Sequence, residues 1–217
     1  MNRNEIKQAL EGALENKGKR KFTQSVEAVI NFRGLDVSKP ENRVNLDVVL
    51  PKGRGKEVPV IVFAEGQVAL ESKNAGASKI FSKDDIEDLK KNRKELKKLA
   101  DTHEFLAAPQ MMIEVGKNLG QVLGGRAKLP KPIIGSVPNA INQAKDKVRI
   151  ATRGKYLPTV QCAIGTETMD EASLVENFEA VYEKVKDKVG ESSIGACYVK
   201  LTMGKAVKIG AVAQVKQ

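Results

Sequence analysis

Apolar residues change their spacing twice along this chain, and few folds can absorb such a change. Near the N-terminus they alternate. Phe22, Val26, Ala28, Ile30 and Phe32 fall on one side of an extended segment, 22–33, while Thr23, Ser25, Glu27, Asn31 and Arg33 fall on the other. That is the pattern of a strand buried on one face. Val44, Leu46, Val48 and Leu50 alternate again and predict an antiparallel partner for it. After PKGRGKEVP, residues 51–59, the spacing differs: VPVIVFA is continuously apolar, as in a parallel strand covered on both faces. From residue 157 alternation returns, over 157–164 and again over 194–203.

Helical periodicity fills the intervals. Ile6, Ala9, Leu10, Ala13 and Leu14 predict a helix over 4–16, stopped by Gly18. In the middle, short strands at VPVIVFA, SKIF, HEFLAAP and VRIA alternate with helical sequence at 67–75, 82–100, 111–125 and AINQAKDK, the order of a small α/β layer fold. Ser82 with Asp85, and Thr168 with Glu171, have capping-box spacing. Leu174, Val175, Phe178, Val181, Tyr182, Val185 and Val189 form the strongest helical stripe. PKGRGKEVP and RGKYLP (153–158) look like linkers. The economical architecture is a discontinuous two-layer α+β domain, 1–55 with 157–217, carrying an inserted three-layer α/β, Rossmann-like domain, 56–156.

Composition narrows the function. The net charge is +10, which favours an anionic partner such as nucleic acid or a membrane surface. Divided within its two linkers, at 57/58 and 157/158, the chain carries +4 over 1–57, +7 over 58–157 and −1 over 158–217, so charge alone places the partner on the middle domain or near the linkers. No apolar run approaches the roughly 20 residues that span a bilayer, and the N-terminus lacks a signal-peptide core. A cytoplasmic location with no membrane partner is expected. Cys162 and Cys197 have no metal-type spacing and read as reduced core thiols. His103 is the only histidine and there is no Trp. A His-based metal site, a Ser-His-Asp triad or a row of stacking rings has little material.

The middle domain offers the best enzyme candidate, because α/β layers bind nucleotides where a Gly-rich turn meets a helix N-terminus. AEGQVALES has one Gly, and no P-loop signature exists anywhere. Gly116, Gly120 and Gly124 lie in helical sequence, where close packing accounts for them. The carboxylates of DDIEDL suit the first turn of a helix better than a metal site. Three basic clusters remain: KGKRK (17–21), PKGRGK (51–56) and GGRAKLPKP (124–132). Each mixes Lys or Arg with Gly or Pro, which suits phosphate contacts. That outweighs a plain solvated surface for the first two and balances it for the third. In VKLTMGKAVKIG, Gly204 is able to take a positive φ and to admit a partner's backbone. Thr202 can bond a phosphate or 2′-hydroxyl, and Met203 can lie against a sugar or base. A plain strand-end turn explains the same residues equally well.

KFTQSVEAVINFRGLD, VNLDVVLPKGRGK, GGRAKLPKP and VKLTMGKAVKI, in this order and spacing, resemble the large-subunit ribosomal protein family L-one, its archaeal branch most closely. The resemblance covers essentially the whole chain. It implies a two-domain, non-catalytic protein without cofactor or metal, monomeric off the ribosome. It implies binding of large-subunit rRNA at the mobile stalk beside the tRNA exit site, contact with exit-site tRNA, and repression of its own mRNA. The family's grip maps onto Lys21, Phe22, Ser25, Glu27, Thr202, Met203 and Gly204. Two departures stand out: Lys205 replaces the Pro usual in bacterial-type members, and LGGRAKLPKP replaces LGPRGLLPNP. A nucleotide-dependent enzyme on the middle domain is the runner-up, and a basic protein binding DNA without specificity is the third reading.

Overall fold

The computed structural model describes residues 2–152 and 157–210. In chain order its main elements begin with α1 (Arg3–Glu15), β1 (Ser25–Phe32), β2 (Asn45–Val49), β3 (Val60–Phe63), α2 (Gly66–Asn74) and β4 (Lys79–Phe81). Next come α3 (Lys83–Lys91), α4 (Arg93–Thr102), β5 (Glu104–Ala107), α5 (Met112–Gly125), β6 (Lys131–Pro132) and α6 (Val137–Asp146). The last are β7 (Lys147–Ala151), β8 (Thr159–Thr166), α7 (Glu171–Val189), β9 (Ile194–Leu201) and β10 (Val207–Lys208). They form two compact units, residues 1–56 with 147–217, and residues 57–146.

The outer unit is a two-layer α+β structure. Its antiparallel sheet has the order β10-β9-β1-β8. Along β1 burial alternates strictly: Val26, Ala28, Ile30 and Phe32 are buried, and Ser25, Glu27, Val29 and Asn31 are half-buried. The buried set meets Ile6 and Leu10 of α1 and Leu174, Phe178, Val181 and Val185 of α7 in one apolar core. Residues 44–50 do not pair with β1. β2 pairs with β7, residue for residue from Asn45↔Ala151 to Val49↔Lys147. β1 is already flanked by β8 and β9 and has no free edge. Thr168 with Glu171 is not the cap of α7; the N-cap is Asp170, whose carboxylate accepts from the Ser173 amide (3.0 Å).

The inserted unit has the parallel order β4-β3-β5-β6. Both faces of β3 are covered, which is why its sequence is unbroken by polar residues. Ile61 and Phe63 join the core under α3, α4 and α5, while Val60 and Val62 join the core under α6, with Val68 and Ala69 of α2 beside it. The three layers are thus α/β/α. The helix expected over 82–100 is two helices. Asn92 ends α3 and caps α4, its side chain accepting from the Glu95 amide (3.4 Å).

The second crossing between units lies at 146/147, ten residues before the expected 156/157. VRIA is the reason: it is β7, and its pairing with β2 draws it into the outer unit. Of the expected second linker, residues 153–156 lie outside the described residues. The charge balance moves with the boundary. The outer unit carries 23 basic and 15 acidic groups, +8, against 14 and 12, +2, for the inserted unit. The excess positive charge is therefore on the outer unit, contrary to the division made from sequence.

The first part of the first expected linker, residues 52–55, is held against the outer unit. Asn177 of α7 is fully buried. It accepts from the Lys52 amide (3.0 Å) and donates to the Gly53 (2.9 Å) and Ile164 (2.8 Å) carbonyls. Gly55, at φ +65°, lies so close to the β8–α7 turn that a Cβ would sit 2.5 Å from Met169 Sδ and 2.6 Å from Thr166 Oγ1.

Candidate nucleic-acid interface

Gln24 organises one end of the outer sheet. It occupies the inward parity of β1, just ahead of the strand, and is 1% exposed. Its Nε2 donates to the Lys17 carbonyl (2.9 Å), and its Oε1 accepts from the Met203 amide (3.1 Å). Its backbone amide donates to Glu167 Oε1 (3.0 Å), and its carbonyl accepts from the Glu167 amide (3.0 Å). One side chain thus ties the segment after α1, the start of β1 and the turn after β9 together, and its backbone holds the end of β8. A hydrogen-bonded amide satisfies its polar groups in this buried position. Gln24 was not among the candidates from sequence. The signal was present: position 24 is where a polar residue interrupts the apolar series 22, 26, 28.

Phe22 and Met203 project from this platform, at 52% and 60% exposure. Alternation puts Phe22 on the buried face of the strand, but β1 begins only at Ser25, and the ring is exposed. Ser25 and Thr202 lock together. The Thr202 amide donates to the Ser25 carbonyl (3.0 Å), the Ser25 amide to Thr202 Oγ1 (3.1 Å), and Thr202 Oγ1 to the Ser25 carbonyl (3.3 Å). The threonine hydroxyl therefore already serves the strand ends. Glu27 stands opposite Lys200 across β1 and β9, with Nζ 3.5 Å from its carboxylate, so its negative charge is balanced. Gly204 does not take a positive φ. Its amide donates to the Leu201 carbonyl (3.0 Å), and a Cβ there would lie 3.1 Å from Leu201 Cβ. A side chain here would press on Leu201, so the tightness of the turn favours glycine.

Partners distinguish the basic clusters. Lys17, Lys19, Arg20 and Lys21 are exposed, and among the described residues none has a carboxylate within 4.0 Å. In PKGRGK, Lys52 pairs with Glu176 (3.3 Å) and Arg54 donates to the Lys147 carbonyl (3.2 Å), leaving Lys56 as its only cation without such a partner among the described residues. In GGRAKLPKP, Arg126 binds Asp101 and Lys128 binds Glu104. Only the first cluster presents its full charge, and it adjoins Phe22.

Burial and helix capping account for the cysteines, the histidine and the acidic cluster. Burial pushes the Cys162 thiol up to about 12 and the Cys197 thiol up to about 11, so neither is a thiolate near neutrality. Burial likewise lowers the His103 pKa. Asp85 caps Ser82, accepting from its amide (2.8 Å) and hydroxyl (2.7 Å). Among the described residues no group of three or more His, Cys, Asp or Glu could hold a metal ion, and no helix is long and apolar enough to cross a membrane. Close packing does not explain the α5 glycines: a Cβ at Gly116 or Gly120 meets nothing within 4 Å. Nothing in the structure accounts for them.

Comparison with known proteins agrees with this architecture. The model of the ribosomal protein L1p/L10e family matches residues 13–205. The large ribosomal subunit protein uL1 of Methanothermobacter thermautotrophicus is 45% identical over 210 residues, covering 94% of this chain and 98% of the relative. The archaeal proteins of the same name from Thermoplasma volcanium and Thermococcus kodakarensis are each 38% identical, over 97% and 95% of this chain and 98% and 97% of theirs. The chain belongs to the ribosomal protein L1p/L10e family and is a structural constituent of the cytoplasmic ribosome, not an enzyme.

Proposed function

We propose that the outer unit, residues 1–56 with 147–217, binds large-subunit rRNA at the mobile stalk beside the tRNA exit site, through the sheet end built on Gln24. Phe22 and Met203 supply apolar surface for a sugar or base, as structured RNA requires. Lys21, with Lys17, Lys19 and Arg20, neutralises phosphates. Ser25, Thr202 and Gly204 hold the two strand ends in register, and Glu27, paired with Lys200, offers a carboxylate acceptor for a 2′-hydroxyl. The observation that carries this reading is the Gln24 platform: it joins the segments that bear two exposed apolar side chains and four cations that no carboxylate of the described residues engages. The +8 charge of the unit supports it. The same surface represses the protein's own mRNA where that message folds into a similar structure, and the protein contacts exit-site tRNA from the stalk.

The test is direct. Phe22→Ala and Met203→Ala remove exposed side chains, so each leaves the melting temperature nearly unchanged. Each lowers affinity for stalk rRNA and for the leader of the protein's own mRNA. Unchanged affinity in both variants refutes the assignment.

A further inference from the structure

The inserted unit carries a second concentration of exposed cations. KKNRKELKK, residues 90–98, holds six cations and one carboxylate. Lys91 pairs with Asp88 (3.1 Å), Lys90 donates to Asn118 (3.1 Å), and the Glu95 carboxylate accepts from the Asn92 side chain (2.9 Å). Arg93, Lys94, Lys97 and Lys98 are exposed, and among the described residues none has a carboxylate within 4.0 Å. Leu96, Leu99 and Ala100 turn the other side of α4 into the core. The four cations share the exposed positions of α4 with Thr102 and two carboxylates, Glu95, bonded to Asn92, and Asp101, held by Arg126.

This order of charges works against the helix that carries it. Arg93 with Lys97, and Lys94 with Lys98, are like-charge pairs at i, i+4, which repel. Arg93 and Lys94 also stand in the first turn, at the positive end of the helix dipole, where carboxylates stabilise and cations do not. A face needed only for solubility has no use for that arrangement, and an external polyanion relieves both strains. Cations four residues apart follow one another at about 6 Å along the axis, a line of charge suited to a chain of phosphates. The ribosome that this family helps to build supplies such chains as RNA.

We propose that the outward face of α4 binds the sugar–phosphate backbone of an RNA helix without sequence preference, as a second contact distinct from the Gln24 platform. The experiment uses the full chain and a short RNA duplex of arbitrary sequence. Replacing Arg93, Lys94, Lys97 and Lys98 with Gln weakens duplex binding. It also flattens the dependence of log affinity on log salt by about one unit for each phosphate no longer neutralised, hence by about three to four. The melting temperature holds or rises, because the repelling pairs are gone. A control with Lys73, Lys79, Lys83 and Lys117 changed to Gln removes equal charge elsewhere on the unit and changes the slope by less than about one. An unchanged slope in the α4 variant, or an equal fall in the control, overturns the proposal. The Phe22→Ala, Met203→Ala double variant separates it from the outer-unit reading. Duplex binding lost there and kept in the α4 variant sinks only this proposal. Unaltered stalk-rRNA binding in that double variant sinks only the other.

Discussion

Gln24→Leu removes the amide that joins three segments of the outer unit while nearly preserving its volume, so no cavity contributes. Two bonds disappear, to the Lys17 carbonyl and from the Met203 amide. A net hydrogen bond is worth about 0.5–1.5 kcal/mol, and a buried group left unpaired costs about 1–3 kcal/mol. Both remaining groups are only partly buried, so about 1–1.5 kcal/mol applies to each, where the two ranges overlap, and the sum is roughly 2–3 kcal/mol. At about 4 °C per kcal/mol for a unit of this size, the outer unit melts about 10 °C lower. RNA affinity falls too, because the Met203 turn and the basic segment at Lys17 lose their common anchor. Melting followed by calorimetry, together with stalk-rRNA binding well below the new midpoint, gives both numbers. A midpoint within about 2 °C of wild type, half a kcal/mol on the same scale, refutes the account of Gln24 as a buried strut. Lost affinity at an unchanged midpoint means that the amide touches RNA directly.

Replacing Lys19, Arg20 and Lys21 with Ala should flatten the salt dependence of RNA binding by about three units and weaken specific and arbitrary RNA alike. Loss confined to the specific RNA would show that these side chains read shape or bases. Thr202→Val should lower melting temperature and affinity together, because the hydroxyl binds both the amide and the carbonyl of Ser25; a fall in affinity alone would restore the direct-contact role. Gly204→Val should also destabilise the free protein, through Leu201 Cβ, and a melting temperature equal to wild type would contradict this. A chain joining 1–56 to 147–217 should fold alone and keep most affinity for stalk rRNA, since the platform lies wholly on it; a folded product binding no better than an unrelated basic protein would count against the outer unit as the main site.

Much of the layer structure was legible because it is written in local spacing. The even-numbered residues of β1 face inward because side chains alternate along any strand. The solid apolar run of β3 implied cover on both faces, and helices α2 and α5 on opposite sides provide it. Ser82 caps α3 from its own neighbourhood, as its spacing to Asp85 implied. The motifs KFTQSVE and TMG gave the family, and the matching positions lie together at one end of the sheet.

What spacing could not decide was partner choice between residues far apart in the chain. Segment 44–50 had strand periodicity, but only the occupied edges of β1 and the approach of residues 147–151 determine that β2 pairs with β7. That same pairing moved the unit boundary and carried Lys147 and Arg149 to the outer unit. A basic cluster looks alike in sequence whether its charges are free or engaged. Glu176, Asp101 and Glu104 engage the later clusters across 124, 25 and 24 positions, whereas no carboxylate of the described residues engages Lys17, Lys19, Arg20 or Lys21. Gln24 and Met203 are 179 positions apart. Periodicity is a property of the chain, fixed before it folds; an electrostatic or hydrogen-bond partner exists only once tertiary packing has brought distant groups within reach.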